Sequence, residues 1–207
     1  KKYEASHLIA GWDYRFGRNA EGNVALLSEE CQKTGIGLDV IPAVTLKNQT
    51  VKSTYIRQLI AEGMTELAEI FLGHPHILSG IVEHGKGLGH TIGIPTANIK
   101  IPDEVQEPKN GVYAAKVLID GKTYLSVTNV GKNPTVDTDG KVKVESFIQD
   151  FCGDLYGHKI ILEFGKRLRS EKKFPSLSAL REQIAFDAAA AKEYYRYRDM
   201  SAQNNEK

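Results

Sequence analysis

Asn110-Gly111-Val112-Tyr113-Ala114-Ala115-Lys116-Val117-Leu118-Ile119-Asp120-Gly121-Lys122-Thr123-Tyr124-Leu125-Ser126-Val127-Thr128-Asn129-Val130 holds two apolar runs, 112–119 and 123–130, parted by Asp120-Gly121. Runs of this length and composition, joined by an Asp-Gly pair, predict two antiparallel strands and a tight turn. Similar runs recur at 78–83, 142–148 and 159–164, with Asp139-Gly140 and Gly153-Asp154 as turn signals. Short strands this densely spaced predict an antiparallel sandwich or a small closed barrel. A helix is then predicted from about Ser176 to Tyr195. Its apolar positions Leu177, Leu180, Ile184, Ala188, Ala191 and Tyr195 step by three or four and give one face to pack on the strands. The polar stretch Arg198–Lys207 reads as a frayed tail.

Ahead of these strands the pattern is α/β. His7-Leu8-Ile9-Ala10-Gly11 and Leu38-Asp39-Val40-Ile41 read as strands on either side of a helix over 20–33 that stops at Gly35 and Gly37. Helices are predicted over 53–62 and 65–72, split at Gly63. Strand, helix, strand, helix implies a parallel sheet. The expected organisation is an α/β part over 1–75, a β-rich domain over 76–197, and the tail 198–207. Too little sequence precedes the first strand for a full doubly wound domain.

Composition narrows the function classes. The chain has 207 residues, and its 27 Lys+Arg nearly balance 26 Asp+Glu. No broad basic field is available for a nucleic-acid backbone, so no nucleic-acid partner is expected. No apolar run approaches the roughly 20 residues that span a bilayer, so no membrane partner is expected and a cytoplasmic location is. The two cysteines, Cys31 and Cys152, form no CxxC or Cys/His cluster, which argues against a zinc site or a disulfide framework.

Four segments carry candidate chemistry. In Gly85-Lys86-Gly87-Leu88-Gly89-His90-Thr91-Ile92-Gly93-Ile94-Pro95-Thr96-Ala97-Asn98, glycines let backbone N–H groups approach an anion, and Lys86 adds a positive charge. Pro95 and the strand-like Ile99-Lys100-Ile101 forbid the helix that a P-loop or a Rossmann turn requires. Thr96 and Asn98 lie two apart and point the same way on an extended segment. Their hard oxygens suit Mg²⁺ bridging phosphates, although taken alone the pair reads first as a turn closure. Alternation over 142–148 puts Val142, Val144 and Ile148 on one face, and Lys143, Glu145 and Phe147 on the other. Glu145 is either a solvated carboxylate or a base for an alcohol. Asn129 to Thr135, with Asn133, reads equally as a turn and as a ligand-framing segment, whereas the charged loop Arg167 to Phe174, ahead of the last helix, reads as a solvated charge run.

In their order along the chain, six strings resemble bacterial riboflavin kinases, the carboxyl-terminal module of the bifunctional riboflavin kinase/FMN adenylyltransferases. They are Gly93–Asn98, Gly111–Ala114, Asn129–Thr135, Val144–Phe147, Asp154–Gly157 and Arg169–Phe174. The resemblance runs from about Leu78 to Tyr195 and implies a six-stranded Greek-key barrel with the last helix across it. It implies ATP phosphates at Gly85, Lys86, Gly87, Gly89, Gly93, Pro95 and Asn133, with Thr96 and Asn98 holding Mg²⁺. It makes Glu145 the base for the ribityl 5′-hydroxyl, and Arg169 and Glu171 part of a flavin-side flap. Substrates would be ATP and riboflavin, and products ADP and FMN. His90 stands where the family usually has Arg, and Ile94 where it has Phe, so His90 takes no role.

The first 75 residues resemble the adenylyltransferase module, a nucleotidyltransferase-like fold, at Gly11-Trp12-Asp13-Tyr14-Arg15-Phe16-Gly17 and Ser53-Thr54-Tyr55-Ile56-Arg57. Gly11, Asp13, Phe16, Gly17, Ser53, Thr54 and Arg57 would form a partial nucleotide site. The HxGH signature of that superfamily does not occur among the six histidines. The expectation is an amino-terminally incomplete adenylyltransferase half that makes no FAD. The competing expectations are a non-catalytic flavin- or nucleotide-binding sensor, and adenylyl transfer as the main activity.

Overall fold

The computed structural model describes residues 5–84, 96–132 and 142–205. They form two compact units that divide after Lys52.

In the first unit, β1 (His7–Gly11) and β2 (Gly37–Ile41) pair in parallel, joined by α1 (Val24–Thr34). The helix begins later than the predicted residue 20, because the Asn23 side chain accepts the Leu26 N–H at 3.0 Å and caps it there. It ends on Gly35 in the left-handed conformation. Two short strands, β3 (Thr45–Leu46) and β4 (Gln49–Thr50), were not legible in the sequence. Their turn is Lys47-Asn48, both at positive φ, where an Asn-Gly or Asp-Gly pair would have announced it.

The second unit opens with α2 (Ser53–Ala61) and α3 (Thr65–Leu72). Six strands follow: β5 (His76–Ile81), β6 (Thr96–Lys100), β7 (Gly111–Ile119), β8 (Lys122–Lys132), β9 (Val142–Ile148) and β10 (Lys159–Arg169). They form one antiparallel sheet in the order β5-β10-β7-β8-β9-β6. The sheet curls until its outer strands meet, where the Glu83 N–H donates to the Asn98 carbonyl at 2.9 Å. Asp120 and Gly121 both take positive φ in the β7–β8 turn, as the Asp-Gly pair predicts. Inside the curl, Leu78, Tyr113, Val117, Val130, Val144, Ile160, Leu162 and Phe164 are almost wholly buried. Outside it lies α4 (Leu177–Asn205), which packs Ala191 and Tyr195 against Val112, Ala114 and Val127. Ser176 caps α4 by accepting the Ala179 N–H at 3.2 Å.

Two expectations are corrected. Residues 198–205 are helical rather than a frayed tail, because Arg198 is held by Glu69 of α3 through bonds of 2.6 and 2.7 Å. By packing, α2 and α3 group with the curled sheet, so the compact units part after Lys52. Within the second unit the Thr65 hydroxyl, buried, donates to the Gly165 carbonyl. Arg167 and Arg169 lie in β10, which is longer and more irregular than the predicted 159–164, and not in a charged loop. Among the described residues, no helix is long and apolar enough to cross a membrane.

Candidate active site

Register assembles the site. Asn98 on β6 stands opposite Glu145 on β9, and Glu145 opposite Asn129 on β8. Asn129 faces Val112 on β7, and Val112 faces Arg169 on β10. One cross-strand row thus carries Asn98, Glu145, Asn129, Val112 and Arg169 over five strands. The next row runs Thr96, Phe147, Val127, Ala114. Because strand side chains alternate, the neighbours Ala97, Val144 and Ser146 turn inward, and both rows face the outside of the curl.

Between that outer surface and the start of α4 lies a cavity of about 260 Å³. Thr96, Asn129, Glu145 and Phe147 line it from the sheet, and Leu180, Ile184 and Asp187 from α4. Arg169 lines it from the end of β10, and Glu171, Lys172 and Phe174 complete it from the strap that connects β10 to α4. A second cavity, of about 480 Å³, opens beside the curled sheet between Val82, Ala97, Ile148 and the segment 151–156. Its walls include Phe151, Leu155 and Tyr156. Tyr156 stacks on His84 with ring centres 3.7 Å apart. Thr96 lines both cavities.

The structure therefore brings Thr96, Glu145, Arg169 and Glu171 to one cavity, with Asn98 in register beside Glu145. Arg169 differs from a solvated flap residue. Its Nε and Nη2 donate to the Asp187 carboxylate at 2.8–3.1 Å, and Nη1 to the Ser170 carbonyl at 3.0 Å. Asp187 is 2% exposed. The Glu171 carboxylate accepts from Asn129 Nδ2 at 3.2 Å and lies so close over Gly131 that a Cβ there would collide with it. Asp187 was missed from sequence, and Asn129 stood only as the first residue of the segment 129–135, read as a turn or a ligand frame. A signal for Asp187 existed, since it is a charge between Ile184 and Ala188 on the apolar stripe of α4, where a buried partner is required.

Gly85, Lys86, Gly87, Gly89, His90, Gly93, Pro95 and Asn133 lie outside the described residues. Gly11, Asp13, Phe16 and Gly17 belong to the first unit, at and beyond the end of β1. Gly17 takes positive φ there, and Phe16 bridges to Gly22. Ser53, Thr54 and Arg57 lie on α2 in the second unit. Arg57 lines a polar cleft with residues of the 101–107 loop.

This arrangement matches a known family: the riboflavin kinase profile covers residues 72–195. The chain belongs to the riboflavin kinase family. Residues 1–55 match the FAD synthetase family. The chain is 35% identical over 191 residues to a Bacillus subtilis bifunctional riboflavin kinase/FMN adenylyltransferase, covering 91% of this chain and 60% of that protein. It is 40% identical over 200 residues to the Escherichia coli K12 protein of the same description, covering 94% and 62%. The chain thus spans about 60% of the length of these curated relatives. It also resembles a crystal structure from Streptococcus pneumoniae described as a macrolide-efflux protein. That match has a TM-score of 0.80, 33% identity, and coverage of 91% of this chain and 60% of the other. The riboflavin kinase membership agrees with the curled six-stranded sheet and its carboxyl-terminal helix.

Proposed function

We propose that the second unit transfers the γ-phosphoryl group of ATP to the 5′-hydroxyl of riboflavin, giving FMN and ADP. The observation that carries this reading is the pair of cavities sharing Thr96, with Glu145 in one of them. A phosphoryl donor and a separate alcohol can meet only where their sites touch, and the shared rim is such a place. The second cavity, walled by Phe151, Leu155 and Tyr156, suits a flat nucleobase. The outer cavity offers Phe147 and Phe174 for a ring system, and the Glu145 and Glu171 carboxylates as acceptors for ribityl hydroxyls.

Glu145 takes the proton from the 5′-hydroxyl as its oxygen bonds to the γ-phosphorus and the bond to the β–γ bridging oxygen breaks. Its strand is flanked by β6 and β8, so the carboxylate is held on a rigid element. The family implies Mg²⁺, and the oxygens of Thr96 at the rim and of Asn98, in register opposite Glu145, fit it. Asn98 Nδ2 turns to the Thr96 carbonyl at 3.4 Å, leaving the amide oxygen directed away from that contact. Thr96 and Asn98 would hold the ion, which neutralises phosphate charge when bound. Gly85–Gly93 and Asn133 would hold the phosphates in the same reading, with Arg169 and Glu171 on the flavin side. A site in the cytoplasm and the Greek-key connectivity of a closed barrel belong to the same proposal, as does a nucleotidyltransferase-like origin for residues 1–75.

Glu145→Gln tests the reading. It is expected to keep riboflavin and ADP affinity while lowering kcat about 10²–10⁴-fold, the usual cost of losing a general base. A drop below about threefold removes Glu145 from the chemistry.

A further inference from the structure

We propose that Arg167 is a positioning residue, latching the strap Ser170–Phe174 over the outer cavity with the α2–α3 turn as its backstop. The inference rests on assigning that cavity to the flavin. Arg167 sits where β10 breaks register with β7, just before the strap. Its Nε and Nη2 donate to the Asn110 carbonyl at 3.2 and 2.6 Å, and Nη2 also donates to Ser170 Oγ at 3.1 Å. The strap is thus tied at its first residue by Arg167, and at its second by the Asn129–Glu171 bond.

The guanidinium stem is confined on two sides by bare backbone. A Cβ on Gly63 would stand 2.6 Å from Arg167 Cδ, and one on Gly111 2.7 Å from Nε. Both glycines also take positive φ, at 78° and 149°. Gly63 is the turn between α2 and α3. Those helices are fixed to the barrel by the Thr65–Gly165 bond, the Glu69–Arg198 pair and the Lys109 N–H to Ile60 carbonyl bond of 3.2 Å. A helix pair that begins with a string resembling the adenylyltransferase therefore backs the Arg167 side chain, at the turn that holds Gly63.

Mechanically, the strap supplies Glu171, Lys172 and Phe174 to the cavity, whereas Glu145 stands on β9. A loosened strap must be ordered when the flavin binds, and that cost lowers affinity. The chemical step is left alone because Glu145, Thr96 and Asn98 do not move with the strap. A residue serving only global stability would show no such division.

The test uses the full chain and three variants, Arg167→Ala, Arg167→Lys and Gly63→Ala. Arg167→Ala is expected to raise the riboflavin KM about tenfold, the effect of losing charge-assisted bonds. The kcat and the ATP KM should stay within about twofold of the unaltered chain. Amide hydrogen exchange should quicken at 170–174 and not in β6 or β9. Arg167→Lys keeps one donor and the stem, so it should fall between. Gly63→Ala should reproduce the KM change without altering β10, by displacing the Arg167 side chain. Unchanged exchange at 170–174, or an unchanged riboflavin KM in folded Arg167→Ala, would overturn the latch. An unaltered chain that turns over no riboflavin would instead overturn the kinase reading, and exchange alone would then decide whether the latch exists.

Discussion

Asp187→Ala should be the most damaging single change outside the barrel interior. Asp187 is 2% exposed, and its carboxylate accepts from Arg169 Nε at 3.1 and 3.0 Å, from Nη2 at 2.8 Å and from Gln183 Nε2 at 2.8 Å. Alanine leaves the guanidinium with only its Nη1 bond to the Ser170 carbonyl. Stranding one partner of a buried pair costs about 3–5 kcal/mol. Because 21% of the Arg169 side chain reaches solvent, the low end applies, about 3 kcal/mol. For a domain of this size that is a fall in Tm of about 10 °C. Urea unfolding of Asp187→Ala, Arg169→Ala and the double variant gives the cycle, with an expected coupling of about 1–3 kcal/mol. Replacing both by apolar residues of similar size, Asp187→Leu with Arg169→Met, should cost far less than either alanine, since no charge is then stranded. A loss under about 1 kcal/mol in Asp187→Ala, with no coupling, would refute the buried-pair account.

Asn98→Ala should raise the Mg²⁺ concentration required for turnover and weaken Mg²⁺·ADP binding, while riboflavin binding without nucleotide stays unchanged. Calorimetry showing flavin binding lost and Mg²⁺·ADP binding intact would contradict its role. His76 is buried against Phe164, and desolvation lowers its pKa below 6.5. The unfolded chain therefore takes up the proton first. Stability is full above about pH 6.5 and falls as pH drops through the window below it, by up to about 1.4 kcal/mol per pH unit. His76→Phe should remove that component from the pH dependence of urea unfolding, and identical profiles for the two proteins would show that His76 is not its source.

The strands and the faces of β6 and β9 were legible because alternation is local: Thr96 and Asn98 share a face, and Glu145 opposes Val144. What alternation does not hold is register. That Asn98, Glu145 and Asn129 stand directly across from one another depends on loops whose lengths do not specify pairing. The roles of α2 and α3 were hidden for a related reason. Their string Ser53–Arg57 resembles the adenylyltransferase, and only packing shows Thr65, Glu69 and Gly63 turned to the barrel. Arg198 looked like part of a solvated tail because its partner, Glu69, lies 129 residues away. Asp187 was overlooked on a stripe read for its apolar members.

The central claim is phosphoryl transfer to riboflavin at the rim shared by the two cavities. The direct measurement incubates the chain with riboflavin, Mg²⁺ and γ-labelled ATP, and follows the label by chromatography. Label appearing in FMN, mole for mole with ADP, is the predicted result. Bound riboflavin with no label transferred, or ADP accumulating without FMN, would contradict it.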